Sequence, residues 1–182
     1  MHGLTIAFLV GSISLVLGAQ AAEKNPDPCA LLTKNEIESV QGERVTATKA
    51  SLPERGRFAV SQCFYSLPTF SKSISLEVTR PRANETVTPK DQWRAMFRGE
   101  PAKKIEREQE ERRERENEKG SSPPRKVAGI GDEAYWIGPA IVGGLYVRKG
   151  DSYFRLSVGG PDPEAVKIEK LKKLARKAVR RL

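Results

Sequence analysis

Between Ser73 and Arg80 the chain reads SISLEVTR, and Ile74, Leu76 and Val78 alternate strictly with Ser75, Glu77 and Thr79. Successive side chains of a β-strand point to opposite faces, so a two-residue period gives one face to a core and leaves the other polar. That commits this part of the chain to a half-buried sheet. Pro81, which has no amide hydrogen for the ladder, ends the strand. Five more segments read as strands: VTATKA and SQCFYSL before it, and DEAYWIG, GLYVRKG and SYFRLSV after it. The last two are joined through Lys149, Gly150, Asp151 and Ser152, where the Gly-Asp pair suits a hairpin turn.

Three helices precede, separate and follow these strands. DPCALLTKNEIESVQG places Ile37 and Val40 among helix formers, with Thr33 and Glu36 spaced as a capping box and Gly42 as the stop. A second helix is expected from about Pro89 to Arg98, capped by Thr88 and carrying Trp93, Met96 and Phe97 on one side. In the third, Ile168, Leu171, Leu174, Ala175, Ala178 and Leu182 recur at helical spacing, and Asp162 is expected near its start. The order helix, three strands, helix, three strands, helix predicts an α+β fold: a mainly antiparallel sheet of about six strands, in two β-β-β-α halves, with helices packed on it.

The first 21 residues include an uncharged apolar run, LTIAFLVGSISLVLGA, and small residues at Ala19 and Ala21. This predicts a secretory signal cleaved near Ala21, with an uncleaved N-terminal anchor as the alternative. Residues 22–182 then form one domain, exported to a periplasmic or extracellular space, with no transmembrane segment after cleavage. Its two cysteines, Cys29 and Cys63, are expected to pair in that oxidising compartment. Closing such a loop stabilises by roughly 3–4 kcal/mol in the chain-entropy model.

The only histidine, His2, lies in the expected signal. Ser-His-Asp triads, Cys–His pairs and ordinary zinc sites therefore have no imidazole to use. No catalytic, metal or cofactor site is expected. VAGIGDEAYWIG, residues 127–138, has the GxGxxA spacing of a dinucleotide-binding turn, but its sequel AYWIG is strand-like. A phosphate needs the free amides of a following helix, so the stretch reads as a turn into a strand, with Gly129 and Gly131 taking backbone angles other residues avoid. Asp132 and Glu133 are the best candidates for a carboxylate-dependent hydrolase, the alternative to a non-enzymatic binding domain. Neighbours on a strand point to opposite faces, which argues against their converging.

Charge separates two further regions. Lys103 to Lys119 holds seven acidic and seven basic residues and a single sizeable apolar group, Ile105. Such a stretch has nothing to bury, so residues at about 99–125 are expected to be a charged arm outside the core. The formal net charge of +9 comes from elsewhere. Residues 164–182 alone carry eight basic groups against Glu164 and Glu169. Lys170, Lys173, Arg176, Lys177, Arg180 and Arg181 are the candidates for binding an anionic surface, or for docking an unknown envelope protein; the competing explanation is the solvated face of a docked helix. Nucleic acid is not an expected partner of an exported chain.

DPCALLTKNEIESVQG after the signal, the aromatic strand around QCFY, and GIGDEAYW followed by LYVRKGDSYFRLSV together resemble a family of small exported bacterial proteins and lipoproteins of unknown function. The resemblance covers most of residues 27–182 apart from the arm. It implies a PsbP-like α/β sandwich, pairing of Cys29 with Cys63, and no assigned reaction. The chain departs from the lipoprotein members in lacking a cysteine at the cleavage point.

Overall fold

A computed structural model describes residues 27–51, 56–99, 123–139 and 143–182. The expected signal and nearly all of the charged arm lie outside the described residues. Seven strands form one sheet: β1 (Ala47–Ser51), β2 (Ala59–Ser66), β3 (Ile74–Arg80), β4 (Arg125–Lys126), β5 (Glu133–Ile137), β6 (Gly144–Lys149) and β7 (Ser152–Val158). Their order across the sheet is β1-β2-β3-β7-β6-β5-β4, with every neighbouring pair antiparallel. The helices are α1 (Lys34–Gln41), α2 (Pro89–Arg98) and α3 (Glu164–Val179), preceded by a 3-10 turn at Pro28–Leu31.

The α+β class and the antiparallel sheet follow the sequence expectation, with seven strands instead of about six. The additional strand is β4, two polar residues that pair with Trp136 and Tyr135 at the margin expected for the arm. A two-residue strand has no period to betray it. β3 and β7 meet at the centre of the sheet, Leu76 opposite Leu156 and Val78 opposite Phe154, which joins the two meanders into one surface.

Strand alternation sorts the side chains into two layers. Cys63 and Tyr65 of β2, Ile74, Leu76 and Val78 of β3, Ala134 and Trp136 of β5, Leu145 and Val147 of β6, and Phe154, Leu156 and Val158 of β7 form one buried face. Leu171, Leu174, Ala175 and Ala178 of α3, Ile37 of α1, and Leu31 and Leu32 close over it. The opposite face receives α2. Trp93, fully buried, packs against Tyr135 and Tyr153, with ring centroids 5.9 and 5.7 Å away, and Phe97 stacks on Tyr135 at 4.5 Å. The two halves thus send their closing helices to opposite sides of the sheet.

Local chemistry sets the helix ends. Thr33 accepts from the Glu36 amide at 3.2 Å while Glu36 accepts from the Thr33 amide at 2.9 Å, a reciprocal box of the kind expected from the sequence. Thr88 and Asp91 repeat the arrangement at α2, with Pro89 in the first turn. Gly42 and Gly99 end these two helices in the left-handed conformation. At α3 the N-cap position is Pro163, not Asp162; the Asp162 carboxylate accepts instead from Lys170, about two helix turns further in.

Cys29 and Cys63 form a disulfide. It pins the 3-10 turn to the core face of β2, and Tyr65 donates to the carbonyls of Cys29 and Leu32 at 3.1 and 3.3 Å from the same strand.

Candidate functional site

The buried stripe of α3 fixes where its cations point. Leu171, Leu174, Ala175 and Ala178 face the sheet, so residues on the far side of the cylinder face solvent. Lys173, Arg176, Lys177 and Arg180 fall there: at about 100° per residue they span one quadrant, and all four are exposed. Among the described residues none of the four makes an ion pair.

The remaining basic groups of the segment have other occupations. Lys170 lies 2.7 Å from Asp162, and Lys172 lies 2.6 Å from Glu169. Arg181 holds Glu36 through two bonds of 2.8 Å and also donates to the Leu31 carbonyl. Lys167, 1 % exposed, is turned into the protein. Of the six candidates, then, Lys170 and Arg181 serve the fold, and four remain as a contiguous cationic strip running toward the C-terminal end of α3.

Asp132 and Glu133 behave differently from the strand-based expectation. Glu133 opens β5, whereas Asp132 precedes the strand and is free of its alternation. Both carboxylates consequently converge on Arg148 of β6: Nη1 lies 3.0 Å from Asp132 Oδ2, and Nη2 lies 3.2 Å from Glu133 Oε1. Asp132 also accepts from the Gly150 amide at 2.9 Å, fastening the β5 approach to the β6–β7 turn. Glu133 further accepts from Trp93 Nε1 and from Arg98, both on α2. Burial pushes the Glu133 pKa up, but hydrogen bonds from Arg98, Trp93 and Arg148 outweigh it and leave the carboxyl below its ordinary value. Arg148 carries no motif that marks it in the sequence; its one signal is its position, two residues from Tyr146 in the β6 alternation, on the face away from Leu145 and Val147.

VAGIGDEAYWIG runs from the end of β4 through β5, so its first two glycines lead into a strand and no helix follows them. Gly129 and Gly131 have φ of +78° and +57°. At Gly131 a Cβ would also stand 2.4 Å from the Arg148 carbonyl oxygen, while the Asp132 amide donates to that same oxygen at 2.9 Å. The pattern is a tight passage between strands.

The aromatic residues divide between the layers. Trp136 and Phe154 belong to the core shared with α3, and Tyr135, Tyr146 and Tyr153 form the bed of α2. Among the described residues no group of three or more Cys, Asp or Glu side chains is placed to hold a metal ion, and no helix is long and apolar enough to cross a membrane. Compared with protein-family models, with curated proteins and with solved structures, the chain matched none of them.

Proposed function

We propose that this protein is an exported binding domain of the cell envelope that attaches to an anionic lipid surface through the exposed face of α3. The observation that carries this reading is the quartet Lys173, Arg176, Lys177 and Arg180, four exposed cations on one helical face with no ion pair among the described residues. Cations of this kind attract an anionic interface with about 1 kcal/mol each near the surface, and the attraction weakens with salt. The apolar side of α3 is already committed to the core, so attachment is electrostatic and peripheral, without insertion of the helix.

Export is supported by the disulfide, which persists in oxidising compartments, and by the signal-like N-terminus of the sequence. The resemblance to small exported proteins, and the PsbP-like kinship it implies, belong to the same reading. A hydrolase built on Asp132 and Glu133 is less well supported, because both carboxylates are occupied by Arg148.

The test is sedimentation of the mature chain with vesicles of phosphatidylcholine alone and of phosphatidylcholine with phosphatidylglycerol. Binding is expected only to the anionic vesicles and is expected to be lost at high salt. A variant with Lys173, Arg176, Lys177 and Arg180 all changed to Glu should fold and fail to bind. Equal binding by that variant, or equal binding to both vesicle types, overturns the proposal.

A further inference from the structure

Away from α3, the end of the sheet where β3 finishes and β2 begins holds two buried polar side chains, Arg80 and Ser61, with atoms that find no hydrogen-bond partner among the described residues. Arg80 is the last residue of β3, opposite Ala59, and its place in the alternation puts it on the side of Ile74, Leu76 and Val78. Its Nη1 and Nη2 are both buried and have no hydrogen-bond partner among the described residues. Ser61, 2 % exposed, stands on the same face of β2, opposite Val78, and its Oγ is likewise buried and has no partner among the described residues. The register makes Ser61 and Arg80 diagonal neighbours, roughly 7–8 Å apart along the backbone, a gap that a long side chain spans.

A guanidinium cannot escape burial by losing its proton, as a lysine can, because its pKa remains far above neutrality. A buried charge lacking a counter-ion costs several kcal/mol, and a buried hydroxyl without a partner adds to the cost. The arrangement therefore calls for an acceptor. The paired Nη1 and Nη2 atoms match two oxygens of a carboxylate or phosphate, and a serine hydroxyl can donate to the same group. Arg80 as a whole is only partly buried, but Nη1 and Nη2 are themselves enclosed, so an anion bound to them would be shielded from water. Arg82, two residues further on, adds positive charge at the same end of the sheet.

We propose that Arg80 and Ser61 form a binding site for a single oxyanion group, a carboxylate or a phosphate, carried by a small ligand. The site is separate from the α3 surface and does not depend on membrane attachment.

Thermal unfolding in chloride, acetate and phosphate, at matched ionic strength and near neutral pH, tests it. Acetate or phosphate is expected to raise the wild-type Tm by several degrees over chloride, in proportion to the logarithm of anion concentration once the site is saturated. The anion with the larger effect identifies the group. Arg80→Met should show no specific rise, and in chloride it should be at least as stable as wild type, because Met removes an unpaired buried charge. Ser61→Ala should keep a reduced rise. Equal rises in wild type and Arg80→Met mark a general salt effect and overturn the proposal, as does the absence of any rise over chloride. A variant-free check is nitrogen-edited NMR of the arginine side chains: one guanidinium must shift with acetate or phosphate and remain still in chloride.

Discussion

Arg181 and Glu36 form a two-pronged pair, Nη1 to Oε2 and Nη2 to Oε1 at 2.8 Å each, that fastens the end of the α3 segment to α1. The Arg181 hydrogen bonds are the main reason the Glu36 pKa is lowered to about 2; burial opposes them, and Thr33 adds to the lowering. A carboxyl with a folded pKa below its unfolded value stabilises fully above the unfolded value and loses that contribution as pH falls toward the folded one. For Glu36 the window runs from about 4.5 down to about 2. Glu36→Gln keeps the capping box, since Gln serves at that position, but loses the paired charge. We expect it to cost on the order of 1 kcal/mol near neutral pH. The difference from wild type should vanish in acid, read from denaturant midpoints across that range.

The disulfide closes a loop between residues 34 positions apart. Replacing Cys29 and Cys63 together with Ala should destabilise by about 3–4 kcal/mol. Wild type unfolded in the presence of a strong reductant should move to the same guanidinium midpoint as the double variant. A midpoint indifferent to reductant would show that the bond contributes nothing to stability.

Two glycines of one loop should respond differently to the same change. Gly129→Ala meets open space and suffers only the left-handed backbone penalty, about 1–2 kcal/mol. Gly131→Ala incurs that penalty and also drives a Cβ to 2.4 Å from the Arg148 carbonyl oxygen and 2.8 Å from Val147 Cγ1. The second variant should be the less stable by a clear margin, and its tryptophan fluorescence should report disturbance around Trp136 and Trp93.

Arg148 supports two carboxylates whose exposures differ: the Glu133 side chain is 11 % exposed and that of Asp132 is 48 %. Without Arg148, Glu133 keeps Arg98 and Trp93 but is the more enclosed carboxylate, whereas the more exposed Asp132 keeps the Gly150 amide and can turn to water. Arg148→Met is expected to cost about 2 kcal/mol, between the values for surface and buried pairs. Asp132→Asn should cost less than Glu133→Gln. Urea midpoints with unchanged slopes would establish the ranking.

Six of the seven strands were legible because each is long enough to show alternation or a hairpin signal, as in Ile74, Leu76 and Val78. β4 was not, for Arg125 and Lys126 owe their pairing to Trp136 and Tyr135, residues that the local pattern does not mention. The apolar stripes of α2 and α3 were visible, but the side of the sheet each would take was not. That depends on how the chain crosses from β3 to α2 and from β7 to α3, which periodicity does not encode. Asp132 and Glu133 would diverge if both lay in a strand, but the strand begins at Glu133, one residue after Asp132. On α3 the count of cations was readable, whereas their division into four exposed and several occupied required Asp162, Glu36 and the Leu31 carbonyl in three dimensions. Ser61 did leave a trace, a polar residue between Ala59 and Cys63 in the strand alternation, whereas Arg80 follows apolar Val78 but precedes Arg82 and so looks like an ordinary strand end.

The sheet ends on one side in β1, short and exposed along its whole length, and on the other in the two-residue β4. β1 carries Lys49 at its centre, and β4 is Arg125 and Lys126. Neither border offers an incoming strand a long, neutral ladder, and two such borders repel each other. Molecules gathered at high density on a common surface would therefore resist zipping into fibres, so crowding need not come at the expense of remaining separate.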